Sequence, residues 1–306
     1  MIRYLIGRIG QGLVVIVGVT ISVFVTTRLI GDPVNFILPL SASLEQRARL
    51  RSDLGFDRPV VTQFFDYLSD VIRLDFGTSA KFTNRDTLSV VLDFLPRTLQ
   101  LVAIGMIFAL SISVVLGMLA AIKPGRISDK LLVTMSLAGL SMPQFFLGQV
   151  LIIIFSVKLG LVYIGPGPWT HLILPSLTLA LPAIGRLAMT VRSAMIDELN
   201  SQYVKAAKAK GLPLKRVVAV HALRNALIPF VTLAGWELIR ALAGFTVVVE
   251  GVFGVNGLGS LAILAIRERD FFLLQTIVLV VSIFVVFINI VIDFVYKFID
   301  PRVRIS

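Results

Sequence analysis

The sequence predicts an all-α polytopic membrane protein of six transmembrane helices with a helical extracytoplasmic loop after the first, and three observations predict it. Of 306 residues, 57% are hydrophobic and 15% charged, with a mean hydropathy of +0.91, far more apolar than one soluble core demands. Six stretches reach the ~20 apolar residues that a helix needs to cross a bilayer. Runs such as QTIVLVVSIFVVFINIVIDFV also lack the period-two alternation of a membrane β-barrel.

The first span is Ile9 to Ile30. Arg3 and Arg8 precede it as in a signal peptide, but the stretch is long and TTRLIGDP follows instead of a small-x-small cleavage site, so it reads as uncleaved. The connection 31–97 holds more acids than bases and is long enough to fold outside. Within it SLEQRARLRSDLG reads as a short helix with Ser43 as N-cap and Gly55 as stop, and VVTQFFDYLSDVIRL as an amphipathic helix begun near Pro59. The remaining spans are Thr98 to Ile122, Leu131 to Val157, Leu172 to Val191, Leu227 to Val249 and Leu273 to Phe298. The chain thus divides into 1–30, the outer loop 31–97, a five-helix core 98–298 with a cytoplasmic loop 192–225, and a tail 299–306.

Lys and Arg in the short connections set orientation. Lys123, Arg126 and Lys130 lie on the side of Arg3 and Arg8, as do the basic residues of 192–225 and Lys297, Arg302 and Arg304. Both termini are predicted cytoplasmic. The net charge of +11 then reflects orientation and membrane lipid; nucleic acid would need a folded basic domain, and none is left once the spans are placed. Absence of cysteine excludes disulfides, thiol catalysis and Cys-held metal.

One basic, Ala-rich stretch interrupts the apolar pattern: YVKAAKAKGLPLKRVVAVHALRNALIP, Tyr203 to Pro229. DELNSQYVKAAKAKG reads as a helix with Asp197 and Glu198 near its start and Gly211 as its C′ stop. PLKRVVAVHAL reads as a second short helix with Pro213 in its first turn. Ala206, Ala207 and Ala209 would offer a small-residue face to a partner; a loop holding anionic lipid is the alternative on charge alone.

Ala-Ala, three residues, Gly, nine residues and HAL resembles the EAA loop of ABC-importer permeases, and HALRNALIP resembles the dipeptide, oligopeptide, nickel and glutathione branch, first-permease (B-type) subunit. GDP at Gly31–Pro33, LGFDRPVVTQFFDYL at Leu54–Leu68, DFGTS at Asp75–Ser79, LPRTLQL at Leu95–Leu101, ILPSLTL at Ile173–Leu179 and DPRVR at Asp300–Arg304 carry the resemblance along nearly the whole chain. It implies a type I ABC importer permease fold in the bacterial inner membrane. The implied partners are a homologous second permease, two ATPase subunits and an extracytoplasmic solute-binding protein, with no cofactor on this chain and ATP on the partner subunits. It further implies coupling to an ATPase through Tyr203, Lys205, Ala206, Ala207, Gly211, Leu212, His221 and Asn225, and di- or oligopeptide cargo. Lys205 stands where the general motif has Glu, and Asn256 where the family usually has Pro.

The sequence has no GxxxxGK[ST] phosphate loop, so this chain is not expected to hydrolyse ATP itself. Pro143 and Gln144 in GLSMPQFFLGQ, and Pro182 in PSLTLALPAIGR, mark helices that break to line a pathway or that kink for structural reasons alone; both readings are open. Glu237 and Arg240 lie three apart on one face of the fifth span, where ionisable groups meet a partner or a wet cavity. An internal ion pair and contact with a zwitterionic or charged solute are both open readings. His221 is expected at a helix interface, since His171 lies on the opposite side and no metal set forms. The alternatives are a proton-coupled transporter using Glu237, an intramembrane hydrolase, and import of nickel, glutathione or opine-like solutes.

Overall fold

Backbone groups in a hydrocarbon layer must bond along their own segment, and helix dominates the residues that the computed structural model describes, 2–30, 34, 42–53, 55–83, 85–165 and 167–299. Helix α1 spans Ile2–Ile30, α2 Leu44–Asp53, α3 Val60–Arg73, α4 Thr87–Ile122 and α5 Ile127–Ser141. Helix α6, Gln144–Leu151, continues as a π-helical stretch, Ile152–Lys158. A 3-10 turn, Trp169–Leu172, leads into α7, Ile173–Leu199, and α8 covers Gln202–Ala209. Helix α9 is a run of 40 residues, Leu214–Phe253, with π-helical stretches at Val217–Ala222 and Ala241–Phe245. Helices α10, Leu258–Arg267, and α11, Phe271–Ile299, complete it. The motifs at Gly31–Pro33 and Asp300–Arg304, Leu54, and the tail from residue 300 lie outside the described residues.

Five of these helices are long and apolar enough to cross a membrane, and α5 with α6, bent by 109° at a short break, makes either a broken sixth span or a re-entrant pair. The third apolar stretch, Leu131 to Val157, is interrupted at Met142–Pro143, where the sequence marks a break. Pro143 lacks an N–H and disfavours helical backbone at the residue before it. Met142 accordingly adopts an extended conformation, φ −85° and ψ 130°, and Pro143 becomes the N-cap of α6. Pro182 sits inside an uninterrupted α7. Helices α4, α7 and α9 run past the apolar limits; Pro96 and Pro229 lie inside α4 and α9 without ending them. Helix α10 was not anticipated.

The chain forms two units. The first comprises Met1–Arg97 and Asn256–Phe287. Within it, Ser43 caps α2 through reciprocal bonds with Gln46, Gln46 N–H to Ser43 Oγ at 3.2 Å and Ser43 N–H to Gln46 Oε1 at 2.9 Å. Gly55 follows at φ +69°. The apolar face of α3 turns Phe64 and Tyr67 onto Phe24 of α1, with ring centroids 5.1 and 5.7 Å apart. Asp270 anchors the start of α11: its carboxylate accepts from the Leu273 N–H at 3.1 Å and from the Ser79 hydroxyl at 2.5 Å.

The second unit comprises Thr98–Val255 and Ile288–Ser306. Its core runs along α7, where Ala183, Leu187, Val191 and Met195 meet Ala222, Ala226 and Phe230 of α9. Lipid tails are as apolar as leucine, so close packing of small residues holds such helices together. A Cβ on Gly117 of α4 would lie 2.6 Å from the Ala188 carbonyl oxygen and 2.7 Å from Val191 Cβ, so backbone, not a flexible tip, blocks any side chain. Gly117→Val is expected to cost at least about 3 kcal/mol, the upper end for overpacking, and to lower the melting temperature in detergent. Gly18→Val, with nothing within 4 Å, serves as the neutral control.

Candidate functional site

The basic stretch becomes a compact helical corner. Helix α7 ends at Leu199, Ser201 holds the N-cap of α8, and Gly211 takes φ +80° just beyond it. Gly211 N–H bonds to Lys208 O at 2.9 Å and Leu212 N–H to Ala207 O at 3.3 Å, the paired bonds of a Schellman stop that favours glycine. The stop at Gly211 is as expected, but two details are corrected. Asp197 and Glu198 belong to the last turn of α7 instead of the start of α8. The second short helix does not exist separately: Pro213 is an N-cap from which the chain runs straight into α9.

Tyr203 ties this corner shut. Its hydroxyl donates to Glu198 Oε2 at 2.5 Å, and the Asn225 amide donates to the Tyr203 oxygen at 3.1 Å; the His221 carbonyl lies 3.4 Å away. Partial burial first and the Glu198 carboxylate second push the Tyr203 hydroxyl above its ordinary pKa, so it stays a proton donor at neutral pH. Val204 is fully buried beneath, while Lys205, Ala206, Lys208, Ala209 and Gly211 stand exposed. Ala207 and Leu212 are half-buried. The structure thus joins Tyr203, His221 and Asn225 and leaves one side of α8 open. Glu198, which completes the tie, was missed.

Further along the second unit, a cavity of about 190 Å³ is lined by Gln144, Pro182, Arg186, Glu237, Arg240 and Phe245 among other residues. Glu237 is 3% exposed, and the Arg186 fork grips it from α7 with Nε at 2.5 Å and Nη2 at 2.7 Å, a bidentate geometry that lysine cannot reproduce. Arg240 reaches Glu237 only at 3.9 Å and lies over the Phe245 ring, 5.0 Å from its centroid. The ion pair of Glu237 with Arg240, one of the two open readings, is present but long, and the closer partner is Arg186, which was not foreseen. Its signal was present, a lone arginine in the apolar run LTLALPAIGRLAMTV. Gln144 Oε1 is buried without a hydrogen-bond donor. Pro143 does not line the cavity; it starts the helix that carries Gln144.

A second buried pair was also missed. Asp129, at the start of α5, accepts from Arg192 of α7 at both carboxylate oxygens, Oδ2 at 2.8 Å from Nη2, and from the Gly125 N–H at 2.7 Å. Arg192 lies two turns before the end of α7, so this pair fixes the helix that leads into the Tyr203 corner. Among the described residues no group of three or more His, Cys, Asp and Glu stands ready for a metal ion.

Comparison with known proteins places this geometry. The family described as binding-protein-dependent transport system inner membrane component matches residues 113–305. The glutathione transport system permease protein GsiC of Salmonella typhimurium is 37% identical over 306 residues, covering 99% of each chain. The probable peptide ABC transporter permease protein y4tP of Sinorhizobium fredii is 35% identical over 311 residues, covering 98% of this chain and 99% of its own. Among solved structures, an inward-facing MetNI methionine ABC transporter superposes with a TM-score of 0.57 at 21% identity, over 69% of this chain and 96% of the other, a likeness of fold.

Proposed function

Because the chain belongs to the binding-protein-dependent transport system inner membrane component family, as an ABC importer permease of its peptide and glutathione branch, we propose that it forms half of the pathway of an ATP-driven importer of di- and oligopeptides, glutathione among them. A second permease completes the pathway, an extracytoplasmic binding protein delivers solute, and two cytoplasmic subunits hydrolyse ATP. Both termini face the cytoplasm, and the loop 31–97 receives the binding protein.

The observation that carries this reading is the Tyr203 corner. A short exposed helix, stopped by a left-handed glycine and tied to the end of α7 and the first third of α9, can transmit a push without bending. Closure of the ATPases would press on α8, and α7 and α9 would carry the displacement to the cavity around Glu237. A proton-driven transporter gives such a corner nothing to do.

The reading is tested with the complete assembly in proteoliposomes. Uptake of a labelled dipeptide is expected with ATP and binding protein together and is expected to vanish when either is left out or when the ATPases are made hydrolysis-deficient. Uptake that continues without nucleotide and follows a proton gradient would overturn it.

A further inference from the structure

Resting on the reading of the Glu237 cavity as solute pathway, we propose that Arg240 anchors a solute carboxylate there while the Gln144 side-chain carbonyl accepts an N–H from the same end of the solute. Charge gives the first argument. Two guanidinium groups and one carboxylate line the cavity, and the Arg186 fork is spent on Glu237. One positive charge is left uncompensated.

That charge is presented for use. Arg240 is 46% exposed, and its 3.9 Å separation from Glu237 is beyond hydrogen-bonding range. Its contact with Phe245 engages the flat face of the guanidinium; the N–H donors radiate from the edge and stay free for a planar, bidentate acceptor. A carboxylate is that acceptor.

Gln144 supplies an independent sign of a missing ligand. A buried amide oxygen without a donor is rare in a folded protein, and Gln144 is among the residues that line the same cavity. A free volume of about 190 Å³ is below the ~300 Å³ of ordinary ligand sites, so it suits one solute end, not a whole chain. A carboxylate beside an amide N–H is the C-terminal residue of a peptide; an acidic side chain offers the same group by another route.

Three labelled peptides separate these cases in proteoliposomes holding the full assembly: a free C-terminal acid, the C-terminal amide of the same sequence, and that amide with one internal residue replaced by aspartate. Each is compared between the unaltered assembly and Arg240→Gln, so the binding protein's own preference cancels from the ratio. Arg240→Gln is expected to lower uptake of the free acid about tenfold, the value of one charge-assisted hydrogen bond, and of the amide less than twofold, with Arg240→Lys recovering part of the loss. A tenfold loss for the aspartate peptide as well would assign the anchor to any carboxylate; its absence would assign it to the C-terminus. Gln144→Glu, which sets a negative charge in the cavity, is expected to disfavour the free acid relative to the amide and gives the same reading if Arg240→Gln fails to co-purify with its partners. Equal losses for acid and amide, or none, in assembled variants would overturn the anchor alone. An unaltered assembly that imports none of the peptides with ATP would overturn the importer reading and the anchor with it.

Discussion

Arg186→Ala is expected to destabilise the protein by about 3–5 kcal/mol, the cost of leaving one partner of a buried ion pair alone. Glu237 is 3% exposed and would keep only Arg240, at 3.9 Å. Against a total of about 5–15 kcal/mol for a domain, such a loss should appear as a much reduced yield of assembled protein and a clearly lower melting temperature in detergent. The double variant Arg186→Met with Glu237→Leu removes both charges at similar volume, and buried pairs replaced in this way often lose little stability. It should therefore melt near the unaltered protein. Comparing the two isolates packing from transport: if the apolar pair assembles and still fails to import, the charges serve the solute. An Arg186→Ala protein that melts normally would show that Glu237 is not held as the distances indicate.

What the sequence made legible follows from which signals are local. Long apolar runs locate helices by composition alone, and Ser43, Gly55 and Gly211 act through their own backbone or nearest turn, so those caps and stops fell where expected. Pro143 and Pro182 show the limit. Both residues lack the same N–H, yet one sits at a 109° break between two helices and the other inside a continuous helix, because neighbouring helices decide whether the freed groups find other support. Ion pairs between distant segments were least visible. Glu237 and Arg240 are close in sequence and were weighed as a pair on that ground, whereas Arg186 lies 51 residues from Glu237 and Arg192 lies 63 from Asp129. An arginine amid apolar residues announces that it needs a partner; only the packing of α7 on α5 and α9 names the partner. The same holds for Glu198, which the helix-dipole and capping rules assigned to the start of α8 and which the fold uses to hold Tyr203 from the end of α7.

Gly211→Val is expected to abolish import and to release the ATPase subunits during purification, the largest functional effect of any single change at the Tyr203 corner. The residue's φ of +80° costs an ordinary side chain about 1–2 kcal/mol, and a β-branched one fits it worst. With that conformation lost, the bonds from Gly211 to Lys208 and from Leu212 to Ala207 cannot both form, and α8 has no fixed end. A Cβ at Gly211 meets nothing within 4 Å of this chain, which allows a sharper comparison. Asparagine accepts the left-handed region readily, so Gly211→Asn should retain most ATP-dependent uptake if backbone shape is what the partner reads. Should asparagine abolish uptake as fully as valine does, the open space itself is the requirement, and an ATPase subunit packs directly against the Gly211 Cα. Retention of the ATPases by Gly211→Val, measured by their yield on co-purification, would remove α8 as the point of contact.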